Sequence, residues 1–534
     1  MMNNKATENV DIVVIGAGFS GMYAVHRLRN YNVVCLEAGE GVGGTWYWNR
    51  YPGARVDIES VEYSYGFDED LQQEWSWPEY FSAQPDLERY ANHVADRFNL
   101  RERIRFSNPV ESMQFEEEEN LWHVHTAKGD HIVCRYVIAA TGSLTAPNLP
   151  PWPGRDQFRG EIYHTARWPA EGVDFTGKRV GFIGTGSTGI QALPIIAGQA
   201  KEVYVFQRTP AYCMPSGNRP LDAEHERDWK ANYPERRKQM LDTYGASLVE
   251  YPEFSAHDCS PEQRAEILEK AWHSKSAFQL ILAFSDVMTD PAANEMVCEF
   301  AREKIRSIVK DPETAELLCP TTYPIGGKRL CVGNGYFEMY NRDNVTLVDV
   351  KTAPIAEFTE SGLRTSAAEY DLDIIVTATG FDAVTGAMDR IDIEGINKRK
   401  LRDKWADGPA TYLGAMVSGF PNLFMIHGPS TPAAQAQMIT SGEWQVNWTA
   451  DIIDTMTREG YSRIDTTEEA EREWAQEVAL ASDQSLHKFA DSWYNGKNIE
   501  GKKGGLMIYV GGFPRFTALC TAAVANDYKG FIRT

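Results

Sequence analysis

The same glycine spacing occurs twice in this chain, at Gly16-Ala17-Gly18-Phe19-Ser20-Gly21 and at Gly184-Thr185-Gly186-Ser187-Thr188-Gly189, and nothing else in the sequence constrains the fold as strongly. Before each lies a short run rich in apolar residues, Ile12–Ile15 and Arg179–Ile183, as expected of strands buried in a parallel sheet. In a strand–loop–helix unit the first glycine turns the chain sharply and the second lets the backbone approach a pyrophosphate. The third lets the helix pack on the sheet. The helix then points its free N–H groups at the phosphates. The first such helix is expected near Met22–Asn30. Two copies predict an α/β chain with two Rossmann-like dinucleotide-binding domains.

The residues that end the next strand separate the two sites chemically. Val33–Leu36 ends on Glu37, an acid that accepts hydrogen bonds from a ribose diol and repels a 2′-phosphate, so the first site suits FAD or NAD. Glu202–Phe206 ends on Gln207-Arg208-Thr209, with no acid; a guanidinium there suits NADPH. Ser187, Thr188 and Gln191 add hydroxyl and amide groups near the second helix N-terminus.

Two further stretches carry chemistry. Gly43–Asp57 packs glycines and aromatics together, with Gly44, Thr45 and Trp46 at its start and Asp57 at its end, a composition suited to the faces of an isoalloxazine or nicotinamide ring. Gln157–Ala170 leads into the second fingerprint with Phe158, Gly160, His164 and Trp168-Pro169 at fixed spacing.

Elsewhere, Phe81–Phe98 is expected to be helical. Arg103–Ala127 and His131–Ala139 are expected to form a small antiparallel insertion turning at Lys128-Gly129-Asp130. Ala146–Pro153 is a hinge. Residues 216–320 show helical periodicity over Leu221–Gly245, Ser260–Leu282 and Asn294–Val309. Strands are expected at Val345–Val348, Leu372–Val376 and Asn422–His427. Two Ala-Thr-Gly sites, Ala140–Gly142 and Ala378–Gly380, bracket the second nucleotide region, and the chain beyond Gly380 is expected to rejoin the first domain. Gly428–Pro432 and Met438 then lie near the flavin ring. Trp493-Tyr494-Asn495-Gly496, in a Gly-rich stretch through Gly505, is expected to be a mobile loop.

Bulk properties limit the function classes. The 534 residues suggest two to four domains at roughly 150 residues each. A net charge of −22 argues against a nucleic-acid partner and means that bound phosphates need local cations or backbone N–H groups. The eight cysteines are scattered without Cys-x-x-Cys, so neither a zinc ribbon nor a dithiol redox centre is indicated. The start, MMNNKATENVD, is polar and is not expected to be a signal peptide, and no apolar run reaches the ~18 residues of a membrane span. A cytoplasmic protein is the expectation.

The stretches Gly43–Asp57 and Phe158–Pro169 match two motifs of one family throughout, and from about residue 10 to 515 the chain resembles the type I Baeyer–Villiger monooxygenases. The resemblance implies an FAD domain (1–145 and 381–534), an NADP domain (146–215 and 323–380) and a helical insertion (216–322). It also implies that NADPH reduces FAD, that O2 adds to give a C4a-peroxyflavin, and that a ketone becomes an ester or lactone, with sulfides as further substrates. No separate reductase is implied, and the protein is expected to be a monomer without a membrane partner.

By the same resemblance Arg329 is the cation that stabilises the peroxide and the oxyanion adduct, and Asp57 positions it. Lys328, Arg208 and Thr209 form the 2′-phosphate clamp, Trp493 folds over NADP+, and Tyr63 and Val110 join the cofactor-binding set. His164 is assigned a structural role, bonding backbone where the domains meet. The nearest alternative is a flavin-containing N- or S-oxygenating enzyme, whose pattern usually lacks Trp168-Pro169; a reductase or oxidase, and a nucleotide-binding regulator, are more remote. The identity of the ketone is not written in the sequence.

Overall fold

The computed structural model describes residues 7–249, 251–274, 278–499, 501–503 and 505–534. The first six residues of the polar start, Lys275, Ser276 and Ala277 of the second expected insertion helix, and Glu500 and Gly504 of the expected mobile loop lie outside the described residues.

The first sheet is built on Glu8–Ile15. It runs parallel to Val33–Leu36, with Ile12 opposite Val33, and parallel to His131–Ala139, with Val13 opposite Val137. Ile12, Val13 and Val14 are fully buried, as apolar residues of a sheet covered on both faces must be. His131–Ala139 is long enough to take two partners on its other edge: Leu121–Thr126 antiparallel along its first half, and Leu423–Met425 parallel along its second. Val110–Glu116 and Asp392–Glu394 complete that edge. The residues expected to form a separate antiparallel insertion are therefore part of the main sheet. Arg103–Ala127 is not continuous strand: it breaks into Ile104–Arg105, Val110–Glu116 and Leu121–Thr126, the last two joined by a turn at Asn120 (φ +55°).

Helix Phe19–Arg27 starts directly on an extended Gly18 cap, earlier than the sequence pattern suggested, so its N–H groups begin at the loop itself. It packs on the long helix Met438–Glu459, where the Tyr23 hydroxyl donates to Asn447 Oδ1 (2.9 Å) and Arg27 pairs with Asp451 (2.7 Å). The late part of the chain thus covers the first nucleotide unit.

The second sheet is parallel throughout, in the order Val345–Asp349, Glu202–Gln207, Arg179–Ile183, Ile374–Thr377, Glu161–His164. A small antiparallel sheet, Ile355–Phe358, Gly362–Thr365 and Glu369–Asp371, was not foreseen: its strands are three or four residues long and too polar to show a period. Along the chain, helices Ala223–Leu241, Pro261–Trp272 and Pro291–Ile308 lie between strands Glu202–Gln207 and Val345–Asp349 of the parallel sheet. Pro261–Trp272 opens on a Ser260/Gln263 capping box and ends ten residues short of the expected Leu282. Beyond it, turns rather than helix carry Leu280, Phe284 and Val287 into the apolar cluster that also holds Trp272, a spacing that imitates helical periodicity. Among the described residues no helix is long and apolar enough to cross a membrane.

Candidate active site

The two fingerprints are built alike. Gly16 has φ +98°, and a methyl group there would lie 2.7 Å from the Ala140 carbonyl oxygen. Gly184 has φ +109°, and a methyl would lie 2.4 Å from the Ala378 carbonyl oxygen. Each Ala-Thr-Gly strand end is therefore the wall against which a phosphate loop turns. Gly21 and Gly189 in turn have no room for a side chain beside the carbonyls of Gly16 and Gly184. Gly44 sits over the first loop at φ +54°, where an added methyl would meet the Gly18 Cα at 2.9 Å, and Gly43 N–H donates to Ala17 O (3.0 Å). This stacking brings Thr45 and Trp46 to the edge of the first site.

Glu37 is 5% exposed and accepts N–H bonds from Ala17 and Gly39, both at 2.6 Å. Burial raises its pKa, and those N–H groups oppose the rise. A carboxylate has about four acceptor positions, so capacity remains for ribose hydroxyls, and glycine cradle, helix terminus and acid together fit an adenine dinucleotide. At the second site Arg208 is exposed, and the Thr209 carbonyl accepts from Thr185 Oγ1 (3.0 Å). Lys328 reaches the same corner: burial and then the Arg208 charge push its pKa down, and its ammonium lies 4.6 Å from the Tyr323 ring centre. Two adjacent cations fit a 2′-phosphate dianion. Ser187 Oγ is engaged with Cys331 Sγ (3.2 Å), and Thr188 stands beside Tyr51.

Segment Arg50–Asp57 ties one site to the other. The Tyr51 hydroxyl donates to Gln191 Oε1 (2.9 Å) and Gln191 Nε2 donates to Arg55 O (3.2 Å). Gly53 (φ +82°) lies so close that a methyl would meet Gln191 O at 2.4 Å. Both ends of the Gln191 amide are thus engaged by the aromatic motif. Arg167 of the linker stacks over Trp48 at 4.2 Å. His164 Nδ1 accepts from Ala166 N–H (3.0 Å), which leaves Nε2 as the donor to Asn148 O (3.4 Å), beside the Thr379 hydroxyl. Burial lowers its pKa, and both its nitrogens are occupied by the chain, the contacts that a structural role needs. Phe158 and Trp168 are buried, each packed beside one face of the second sheet.

Arg329 and Asp57 meet at the wall of a cavity of about 610 Å³. Arg329 Nε and Nη2 donate to both Asp57 oxygens (2.7–2.9 Å), and Nη1 donates to Ala434 O (2.6 Å). The guanidinium lies 5.0 Å from the Phe278 ring centre. Burial works against its charge, but Asp57 outweighs burial and holds the pKa above the usual arginine value. Tyr63, Lys328, Met438 and Tyr494 line the same cavity. Tyr63 accepts from Trp46 Nε1 (3.0 Å), and burial pushes its pKa up to about 12. Phe19 meets Tyr63 edge-on at 6.0 Å. Trp493 packs edge-on against Tyr494 at 4.5 Å. Val110 is buried in the apolar cluster behind the first sheet. Sequence reasoning missed Tyr494, Tyr51 and Arg167 as site-forming residues, although each sits inside a motif it had singled out.

The relationship to known proteins is full-length. A Baeyer–Villiger monooxygenase of Pseudooceanicola batsensis is 42% identical, covering 99% of this chain and 98% of that one. This chain belongs to the Baeyer–Villiger monooxygenases. An oxidised steroid monooxygenase bound to NADP superposes with a TM-score of 0.93 at 46% identity, over 98% of this chain and 99% of the other. The OTEMO complex with FAD and NADP superposes at 0.95 with 40% identity, over 99% and 100%. Residues 13–217 also match the pyridine nucleotide-disulphide oxidoreductase family model. This Baeyer–Villiger monooxygenase is an FAD-dependent, NADPH-consuming flavoprotein that acts on ketones, and its two glycine cradles are the parts of the fold suited to hold the two nucleotides.

Proposed function

We propose that Arg329 is the fixed cation at which this monooxygenase oxidises its ketone, and that Asp57 is the carboxylate that sets its position. The observation that carries the reading is the two-oxygen pairing of Arg329 with Asp57 on the wall of the cavity that Tyr63, Met438, Lys328 and Tyr494 also line. When bound, the reduced flavin supplies activated O2 as a nucleophile next to the ketone carbonyl. The chain's own part is electrostatic. A guanidinium keeps its charge throughout, has no proton that the attacking oxygen can remove, and stabilises negative charge as it moves onto the former carbonyl oxygen. With all three of its nitrogens already held, its remaining N–H groups have fixed directions, so little reorganisation accompanies the reaction. Asp57 supplies that fixation and offsets the cost of burying the charge.

In the same reading Glu37 takes the ribose of FAD, and Gly16, Gly18, Phe19, Gly21, Gly44, Thr45, Trp46, Tyr63, Val110 and Met438 surround that cofactor. Gly184, Thr185, Gly186, Ser187, Thr188, Gly189 and Gln191 line the NADPH site, Lys328, Arg208 and Thr209 hold its 2′-phosphate, and Trp493 folds over it. We assign residues 1–145 and 381–534 to the FAD unit, 146–215 and 323–380 to the NADP unit, and 216–322 to an insertion that walls the cavity. The protein is assigned as a cytoplasmic monomer that needs no separate reductase.

The test is turnover of cyclic, linear, aryl and steroid ketones under 18O2 with NADPH. Ester or lactone carrying one labelled oxygen supports the reading. Sulfoxides, N-oxides or H2O2 as the sole products across the panel would favour an N- or S-oxygenating enzyme.

A further inference from the structure

The cavity beside Arg329 does not end at its own walls. A second cavity of about 590 Å³ adjoins it, and Ile58, Ser247, Val249, Tyr251, Phe278 and Leu282 line both. The second chamber is lined by Phe81, Leu248, Phe254 and Ile267, among others, and by the charged residues Glu59, Glu62 and Lys270. Glu62 is 5% exposed. Its carboxylate accepts the Ser247 hydroxyl and long N–H contacts of 3.3 and 3.4 Å from Leu248. The neighbouring cation, Arg237, does not pair with it: the guanidinium donates instead to the Val61 and Glu62 carbonyls and the Ser64 hydroxyl. The Glu62 carbonyl is further pinned by Gln437 Nε2 (2.6 Å), and its carboxylate is held against Ser247, which lines both chambers.

A carboxylate buried without an ion pair is costly, and one with acceptor positions left over favours an added donor. Burial, opposed by the Ser247 bond and reinforced by Glu59, pushes its pKa up to about 7, which reflects the same shortage of donors. Nothing in the reaction at Arg329 uses this group.

We propose that Glu62 and Ser247 form a distal subsite that binds a hydroxyl group of an elongated, fused-ring ketone whose carbonyl sits at Arg329. The inference rests on the ketone-oxidising role of Arg329. Ser247 faces both chambers, so a molecule spanning them passes it, and the hydroxyl then donates to Glu62 as its remote end enters the second chamber. The subsite selects among large ketones by a polar group, while the apolar wall residues accept the ring system without distinguishing its members.

The experiment compares two fused-ring monoketones that differ only by a hydroxyl at the end remote from the carbonyl, with cyclohexanone as the control for folded, FAD-loaded enzyme. In the unmodified enzyme KM for the hydroxyketone is expected to be at least tenfold below that of its deoxy partner. Glu62→Leu removes that gap, Glu62→Gln keeps part of it, and Ser247→Ala narrows it even if Glu62→Leu cannot be isolated with FAD bound. Equal KM values for the pair in the unmodified enzyme, or an unchanged gap in these variants, would overturn the subsite. Failure of the unmodified enzyme to form lactone from cyclohexanone and ester from either fused-ring ketone would instead remove the Arg329 reading on which the subsite depends.

Discussion

A guanidinium held on both oxygens of a carboxylate keeps its charge at every step of a reaction, and the choice of arginine at position 329 follows from that. A lysine of ordinary basicity in the same place would be a movable point charge whose pKa falls on burial, as that of Lys328 does. The same contrast governs the NADPH corner. Among the described residues Arg208 has no carboxylate partner, and it stands beside Lys328, an arrangement of like charges that a phosphate dianion relieves. Arg208→Ala is therefore expected to raise KM for NADPH by roughly 10–100-fold, the scale of a lost hydrogen bond to a charged group, and to change KM for NADH little. Steady-state kinetics with both nucleotides checks this; equal effects on the two would remove the 2′-phosphate assignment.

At the scale of elements, each phosphate loop turns against the carbonyl of its own Ala-Thr-Gly strand, so damage to one need not reach the other. Gly16→Ala forces a methyl toward Ala140 O at positive φ and is expected to yield protein without bound FAD. Gly184→Ala does the same toward Ala378 O and is expected to keep FAD, seen in its visible absorbance, while NADPH binding weakens at least tenfold. Helix Met438–Glu459 is anchored by Glu443, which accepts Gly66 and Phe67 N–H (2.9 and 3.0 Å). Burial pushes the Glu443 pKa up to about 7, with Arg237 opposing, and Tyr23, Tyr65 and Tyr90 lie around it. A raised carboxyl pKa contributes stability that is present below the unfolded-state value near 4.5 and lost as pH rises through 7. The melting temperature of Glu443→Gln relative to the unmodified protein is therefore expected to improve between pH 5.5 and pH 8; an unchanged difference would contradict the buried-carboxyl account. These elements also show what the sequence carries. Glycine spacing is a backbone constraint, so both loops, their strands and the acid-versus-arginine distinction are legible locally. Short-range pattern misleads where tertiary contact decides: Ser260–Leu282 imitates a helix beyond Trp272, and Ile355–Asp371 hides a three-stranded sheet. The contact of Glu62 with Ser247 joins positions 185 residues apart, and no local signal announces it.

At the scale of the whole molecule, the two glycine cradles and the Arg329 cavity are tied together by a single segment. Tyr51, Gly53 and Gln191 clamp the aromatic motif of the first unit to the fingerprint helix of the second, and the same motif ends on Asp57, which holds Arg329 from a loop more than 250 residues later. In the proposed reading, reduction of the flavin and oxidation of the ketone are separable: the first needs both cradles, the second the Arg329–Asp57 pair. The most direct measurement of that claim is on Arg329→Ala, following anaerobic flavin reduction by NADPH in a stopped-flow instrument and ester yield under air in the same preparation. The account predicts full FAD loading and reduction within a few-fold of the unmodified rate, with ester formation lost. Ester yield equal to that of the unmodified enzyme would show that the fixed cation is not where the ketone is oxidised.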